Sequence, residues 1–187
     1  MTSLRALICG LLAALPVLAQ PAPLSGFKDE GVFLLYVNED RVATLKFQWQ
    51  ADGNFQNQAV ISMAGQSVTI TDTVVADSDG RWMKITTQSP QGPVTAVREG
   101  DVARRTFKEK TEIVNLKPGA VLFGNYAPAL MSQAVRLYDK SKGGKQTFPL
   151  LIIPGVLREV SLEYKDKVER SIGGKDVAFV RFIYGVP

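Results

Sequence analysis

The sequence predicts an all-β-dominated fold: a curved antiparallel sheet of the half-barrel kind, with one packed helix after the first meander. Three observations carry this. Apolar and polar residues alternate with period two along most of the chain. Turn residues break that alternation about every eight to twelve positions, the spacing of an antiparallel meander. One stretch alone, near 127–138, changes to helical spacing.

The first strand runs from Gly31 to Val37 and turns through Asn38-Glu39-Asp40-Arg41. Val42 to Gln50 is the cleanest strand, with Leu45, Phe47 and Trp49 on one face and Thr44, Lys46, Gln48 and Gln50 on the other. Asp52-Gly53-Asn54 supplies a hairpin turn, because Asp-Gly tolerates positive φ. Phe55 to Met63, Ser67 to Ala76 and Arg81 to Gln88 continue the meander, and Val94 to Arg98 and Val102 to Lys108 extend it around Glu99-Gly100-Asp101. Asn125 is placed to cap the helix and Pro128 sits in its first turn, where a missing N–H is harmless. Ala127, Leu130, Met131, Ala134 and Tyr138 share one helical face, so the helix should lie on the sheet and meet Leu45, Phe47 and Trp49. Strands return at Gln146–Ile153, Glu159–Val168 and Asp176–Tyr184.

The 187 residues suit one domain, and 45% apolar with 21% charged residues excludes disordered, collagenous and multi-span membrane classes. Residues 1–19 read as a signal peptide: Arg5, then the apolar run Ala6 to Leu18, then Val17-Leu18-Ala19 with small residues at the positions a signal peptidase reads. The run is too short to span a bilayer, so no transmembrane span is expected. Residues 20–30 form a Pro/Gly/Ser linker, and 31–187 form the β domain. Cleavage after Ala19 removes Cys9, the only cysteine, and an exported chain without disulfides fits a bacterial periplasm or extracellular space.

Chemistry is bounded mainly by what is missing. With no histidine, Ser-His-Asp and Cys-His machinery cannot be built from this chain. Ser25-Gly26-Phe27-Lys28 has Ser-x-x-Lys spacing but lies in the linker, without the partner motifs that chemistry needs. The Gly-Gly-Lys triplets at 143–145 and 173–175 lack the rest of a phosphate loop and read as hairpin turns. Asp77-Ser78-Asp79-Gly80 lacks the closing glutamate of a calcium loop and reads as a turn. Arg98, Arg104, Arg105, Lys108 and Lys110 are interleaved with acids, a pattern that guards a sheet edge. A net charge of +4 is too small to imply nucleic acid. Thus no catalytic residue, metal ligand or cofactor site is expected. The remaining candidates are aromatic and apolar: Phe47, Trp49, Trp82, Phe123, Tyr126 and Leu130 either fill a core or line a groove for an acyl chain or another apolar ligand.

From Phe33 onward the layout resembles the half-barrel domains of lipoprotein-carrier type. More narrowly, Leu35-Tyr36-Val37-Asn38-Glu39-Asp40-Arg41, Phe47-Gln48-Trp49, Asp52-Gly53-Asn54-Phe55, Ala64-Gly65-Gln66, the Pro128-to-Tyr138 helix and Phe179-Val180-Arg181-Phe182 are similar to the N-terminal β-module of exported α/β-hydrolases of prolyl-oligopeptidase-like type. The resemblance implies a non-catalytic module whose partner is a hydrolase domain further along the same chain. Val177 to Tyr184 is apolar on both faces, as in a strand flanked on both sides, and Gly185 and Pro187 read as a turn leading onward. The chain is therefore expected to be truncated at its C-terminus.

Overall fold

Tight hairpins build the first half of the molecule. The computed structural model describes residues 25–26, 28–63, 65–153 and 155–185, so the signal-peptide reading lies outside the described residues. Eight strands follow one another in strict sequence order: β1 (Asp29–Val37), β2 (Asp40–Trp49), β3 (Phe55–Met63), β4 (Gln66–Ala76), β5 (Trp82–Gln88), β6 (Val94–Glu99), β7 (Val102–Phe107) and β8 (Lys110–Asn115). Each is antiparallel to the last, and the sheet curves into a half-barrel. The first strand begins two residues ahead of the expected Gly31, so the linker gives up Asp29 and Glu30 to the sheet.

Register sorts the two faces. Trp49, Phe55, Val74, Ile85 and Ala96 stand opposite one another across β2 to β6 and are all buried. Gln56, Thr73, Thr86, Thr95, Thr106 and Thr111 form the matching row on the outer face. Alternation along each strand puts the apolar row inward and the polar row outward. At the β1 edge, Gly31 lies opposite Phe47, and a Cβ there would come within 2.9 Å of the Phe47 ring. The missing side chain lets that ring cover the strand, and Phe33 stacks on it at 5.3 Å.

A second, four-stranded sheet follows, in the order β12-β11-β10-β9. It comprises β9 (Val121–Phe123), β10 (Lys145–Ile152), β11 (Val156–Ile172) and β12 (Lys175–Gly185). Its β9–β10 pair is parallel, which requires a crossover. A 3₁₀ turn at Pro128–Met131 and a short helix, α1 (Ser132–Leu137), supply it. The helical stretch thus lies within 127–138, but the cap differs from expectation. Ala127 occupies the N-cap without any side-chain hydrogen bond, and Asn125 stays exposed outside the turn.

The helical segment also divides its contacts. Ala127, Ala129 and Leu130 of the 3₁₀ entry share a core with Trp49, Phe55, Val74, Trp82 and Ile85, together with Leu122 and Leu151. Ala134 and Tyr138 instead pack with Val121, Leu150, Val160 and Leu162. Consecutive β-residues point to opposite faces, so Leu150 and Leu151 serve different cores and the β9–β10 part of the second sheet is covered on both sides. Of the expected inward trio, Trp49 meets the helix entry in this core, Phe47 packs against its margin, and Leu45 lies outside it, between β1 and β3.

The β11–β12 hairpin outruns its neighbours. β10 pairs with β11 only from Val156 to Glu163, whereas β12 pairs with β11 out to Ile172. Beyond Tyr164 the hairpin is a two-stranded arm closed by Gly173-Gly174, both at positive φ. The other Gly-Gly pair, Gly143-Gly144, is not a hairpin turn: it joins α1 to β10, with φ of 61° and 60°.

Candidate functional site

Most of the aromatic candidates turn out to be packing residues. Trp49, Trp82 and Leu130 are buried together, and Trp49 meets Phe55 with ring centroids 4.6 Å apart. Phe47 and Phe123 are half-buried against the two cores, and Tyr126 is exposed. The structure therefore brings Trp49, Trp82 and Leu130 into one filled cluster and leaves Phe47, Phe123 and Tyr126 at its margins. Phe182 closes the second core, edge-on to Tyr138 at 5.2 Å and to Tyr164 at 5.9 Å.

The inner face also holds a polar cluster that sequence reasoning missed. Phe47, Asn57, Asp72 and Thr87 form one inward row across β2 to β5. Asn57 and Asp72 are both buried. Asn57 Nδ2 donates to Asp72 Oδ2 at 3.1 Å and to the Tyr126 carbonyl at 2.8 Å, and Thr87 Oγ1 donates to Asp72 Oδ1 at 2.7 Å. Burial pushes the Asp72 carboxyl above its ordinary value, and the two hydrogen bonds only partly oppose it. The signal was present as an Asn and an Asp at inward positions of adjacent strands. Chemically the cluster is a clasp: it ties the helix entry at Tyr126 to the sheet, and no described nucleophile or base is hydrogen-bonded to Asp72 beyond Thr87 and Asn57.

The other sequence features find local duties. Asp77 Oδ1 accepts from the backbone N–H of Asp79 and of Arg81, holding the β4–β5 turn. Ser25 packs on Gly80 and its carbonyl accepts from the Arg136 guanidinium, while the Gly26 N–H donates to the Ala51 carbonyl at 3.2 Å. In the basic stretch Arg104 pairs with Glu99 at 3.2 Å, Arg105 with Glu112 at 2.8 Å, and Arg98 lies over the Trp82 ring. A small cleft of about 320 Å³ opens at the base of the arm between Tyr138, Tyr164, Lys140, Lys167 and Val180.

What remains open is edge surface. Among the described residues the exposed large apolar side chains concentrate on β1, from Val32 to Val37, and on β12, at Val177, Phe179, Val180, Ile183 and Tyr184. β12 has one strand neighbour among the described residues although it is apolar on both faces. Such surface does no chemistry, but it can hold another polypeptide through side chains and unpaired backbone groups together. The chain matches no family model, no curated protein and no solved structure.

Proposed function

We propose that this chain is the non-catalytic N-terminal β-module of an exported serine hydrolase, and that it holds the catalytic domain along the body end of β12. One observation supports the reading above all. Ile183 and Tyr184, opposite Glu163 and Leu162 beside the body of the molecule, are 54% and 56% exposed on an edge strand. A neighbouring domain would find apolar side chains and open backbone groups there in one place. The resemblance set out above supplies the identity of that domain. The chain has no histidine, so in this reading the histidine of the serine-hydrolase machinery belongs to the catalytic domain and the module contributes positioning.

The test is the complete polypeptide. It should carry a Gly-x-Ser-x-Gly turn and a later histidine beyond this module. Amide exchange at Arg181–Gly185 should slow when the catalytic domain is present, and Ile183→Asp should reverse the slowing. A polypeptide without such a domain, or exchange unaffected by it, sinks the reading.

A second reading, an envelope protein that carries an apolar ligand, has its own support. Phe33, Leu35 and Val68 lie on the inner face of β1–β4 and remain partly exposed. Uptake of a fluorescent fatty acid, lost in Leu35→Asp, separates it from the first.

A further inference from the structure

We infer that the cleft at the base of the β11–β12 arm binds a small aromatic carboxylate, its ring between Tyr138, Tyr164 and Val180 and its charge at the Lys140 and Lys167 ammonium groups. The cleft is built by the end of α1, the loop after it, and the two strands of the arm. Its volume of about 320 Å³ lies at the small end of ligand sites. Neither Ile183, Tyr184 nor any residue of β1–β4 lines it, so the site is independent of both readings above.

A break in register aims one lysine into the cleft. Tyr164 stands opposite Phe182, Asp166 opposite Arg181 and Lys167 opposite Val180. Val180 and Phe182, two apart on β12, share a face. The extra residue in β11, Lys165, therefore puts Lys167 rather than Asp166 on the face of Tyr164. Without that bulge an acid would stand in the lysine's place. Asp166 is turned to the other face, where Arg181 donates to both its oxygens at 2.8 and 2.6 Å. The loop bearing Lys140 is fixed separately. Tyr138 Oη donates to the Gly144 carbonyl at 2.7 Å and accepts from the Tyr164 N–H at 3.3 Å, which ties the loop to β11. Gln146 braces it, Nε2 donating to the Asp139 carbonyl at 2.7 Å and Oε1 accepting from the Asp139 N–H at 3.0 Å. A loop held in this way needs little ordering when a ligand arrives.

Positive charge is left over at the mouth. Asp139 is taken by Ser141 and Lys142, and Glu163 by Lys165. Glu169, two residues past Lys167 on its face, forms no ion pair among the described residues. Lys140 and Lys167 likewise have no ion-pair partner there. Two unpaired ammonium groups beside ring-lined walls select an anion with an apolar body. Aromatic rings favour edge-on or offset contact, as Phe182 already makes with Tyr138 and Tyr164. Among the described residues no arginine lines the cleft, so the planar fork that suits phosphate is missing and a carboxylate is the better match.

The experiment titrates 2-naphthoate into the purified, isotope-labelled protein and follows the backbone amide resonances. Gly143, Gly144, Tyr164 and Val180 should shift saturably, with a Kd of about 1 mM or below, as expected for a ligand of roughly a dozen non-hydrogen atoms. The uncharged 2-naphthamide should bind more weakly. Lys140→Gln and Lys167→Gln, both at exposed positions, should keep the parent spectrum elsewhere and each weaken naphthoate about two- to fivefold. Val180→Asp should abolish binding, and Lys175→Gln, at the far end of the arm, should change nothing. Absence of saturable shifts at about 5 mM overturns the inference. So does equal affinity for acid and amide, undiminished affinity in the double lysine variant, or shifts that gather outside the cleft. Displacement by inorganic phosphate at constant ionic strength overturns the assignment to a carboxylate.

Discussion

Replacing Trp49 with alanine tests whether the inner face is filled. The ring is 2% exposed, lies tilted on Phe55 at 4.6 Å, and shares its cluster with Leu130, Leu122 and Leu151. A tryptophan of this kind buries about 150–250 Å². At ~25 cal/mol per Å² that is about 4–6 kcal/mol, reduced when the unfolded chain already hides part of the ring. The expected loss is therefore ~3–5 kcal/mol, the range of aromatic-to-alanine truncations in packed cores. That is a large part of the ~5–15 kcal/mol a domain has in total. Urea melts followed by far-UV circular dichroism measure it, and Trp82, the one tryptophan left, serves as a second probe. Phe47→Ala, at a half-buried position, should lose less than half as much. If Trp49→Ala unfolds cooperatively with a loss below about 1.5 kcal/mol, the ring borders open space and the filled-core description is wrong.

Asp72 carries a pH signature. Its carboxyl is raised by burial, so the folded protein holds the proton more tightly than the unfolded chain. The stability it contributes is complete below the ordinary value of 3.8 and is lost as pH rises through the folded value. Asp72→Asn should flatten that decline, gaining on the parent protein as pH increases in a series of thermal melts. Gln133→Leu strands the buried Leu122 N–H and should lose about 1–3 kcal/mol, read by chemical denaturation. Lys108, at φ 54° in the β7–β8 turn, should be improved by glycine, with a gain on the order of 0.5–1 kcal/mol in the same assay. Expressed in a bacterial host and recovered from outside the cytoplasm, the protein should have Gln20 as its first residue by mass analysis, and an intact Met1 would refute the leader assignment.

The strands that sequence reasoning located best are those with one dry and one wet face and glycine-marked ends. Phe55 to Met63 was legible to the residue because Asp52-Gly53-Asn54 precedes it and its inward positions alternate cleanly. β8 was not legible. Its turn is Lys108-Glu109, where a lysine takes the left-handed conformation usually reserved for glycine or asparagine, so no punctuation marks the reversal. β9 is too short for any periodicity, and its strand character comes from a parallel partner nearly thirty residues later. The helix was found, but not its division between two cores, because one apolar stripe looks the same whether it meets one sheet or two. The candidate site was the least legible part. Trp49 and Tyr126 look alike as aromatic residues, and only the packing of Leu122, Leu130 and Leu151 over one of them makes it core. Asn57 and Asp72 broke the inward pattern in plain view, yet their pairing depends on register.

The strict sequence order of the first sheet bears on how the chain acquires its structure. Every neighbour from β1 to β8 is made across a short hairpin, so those pairings need little loop closure and can form locally as the polypeptide emerges. The residues that roof its inner face come later, at Leu122, Leu130 and Leu151. A chain that has reached Asn115 therefore presents Trp49, Phe55, Val74 and Ile85 to water with nothing yet to cover them. Its most vulnerable interval lies between completion of the meander and arrival of β10. Protection of β1–β8 amides in a pulse-labelling experiment should accordingly appear before that of β9 and β10, and a chaperone that binds this protein during synthesis should compete with the segment 121–153 for the same surface.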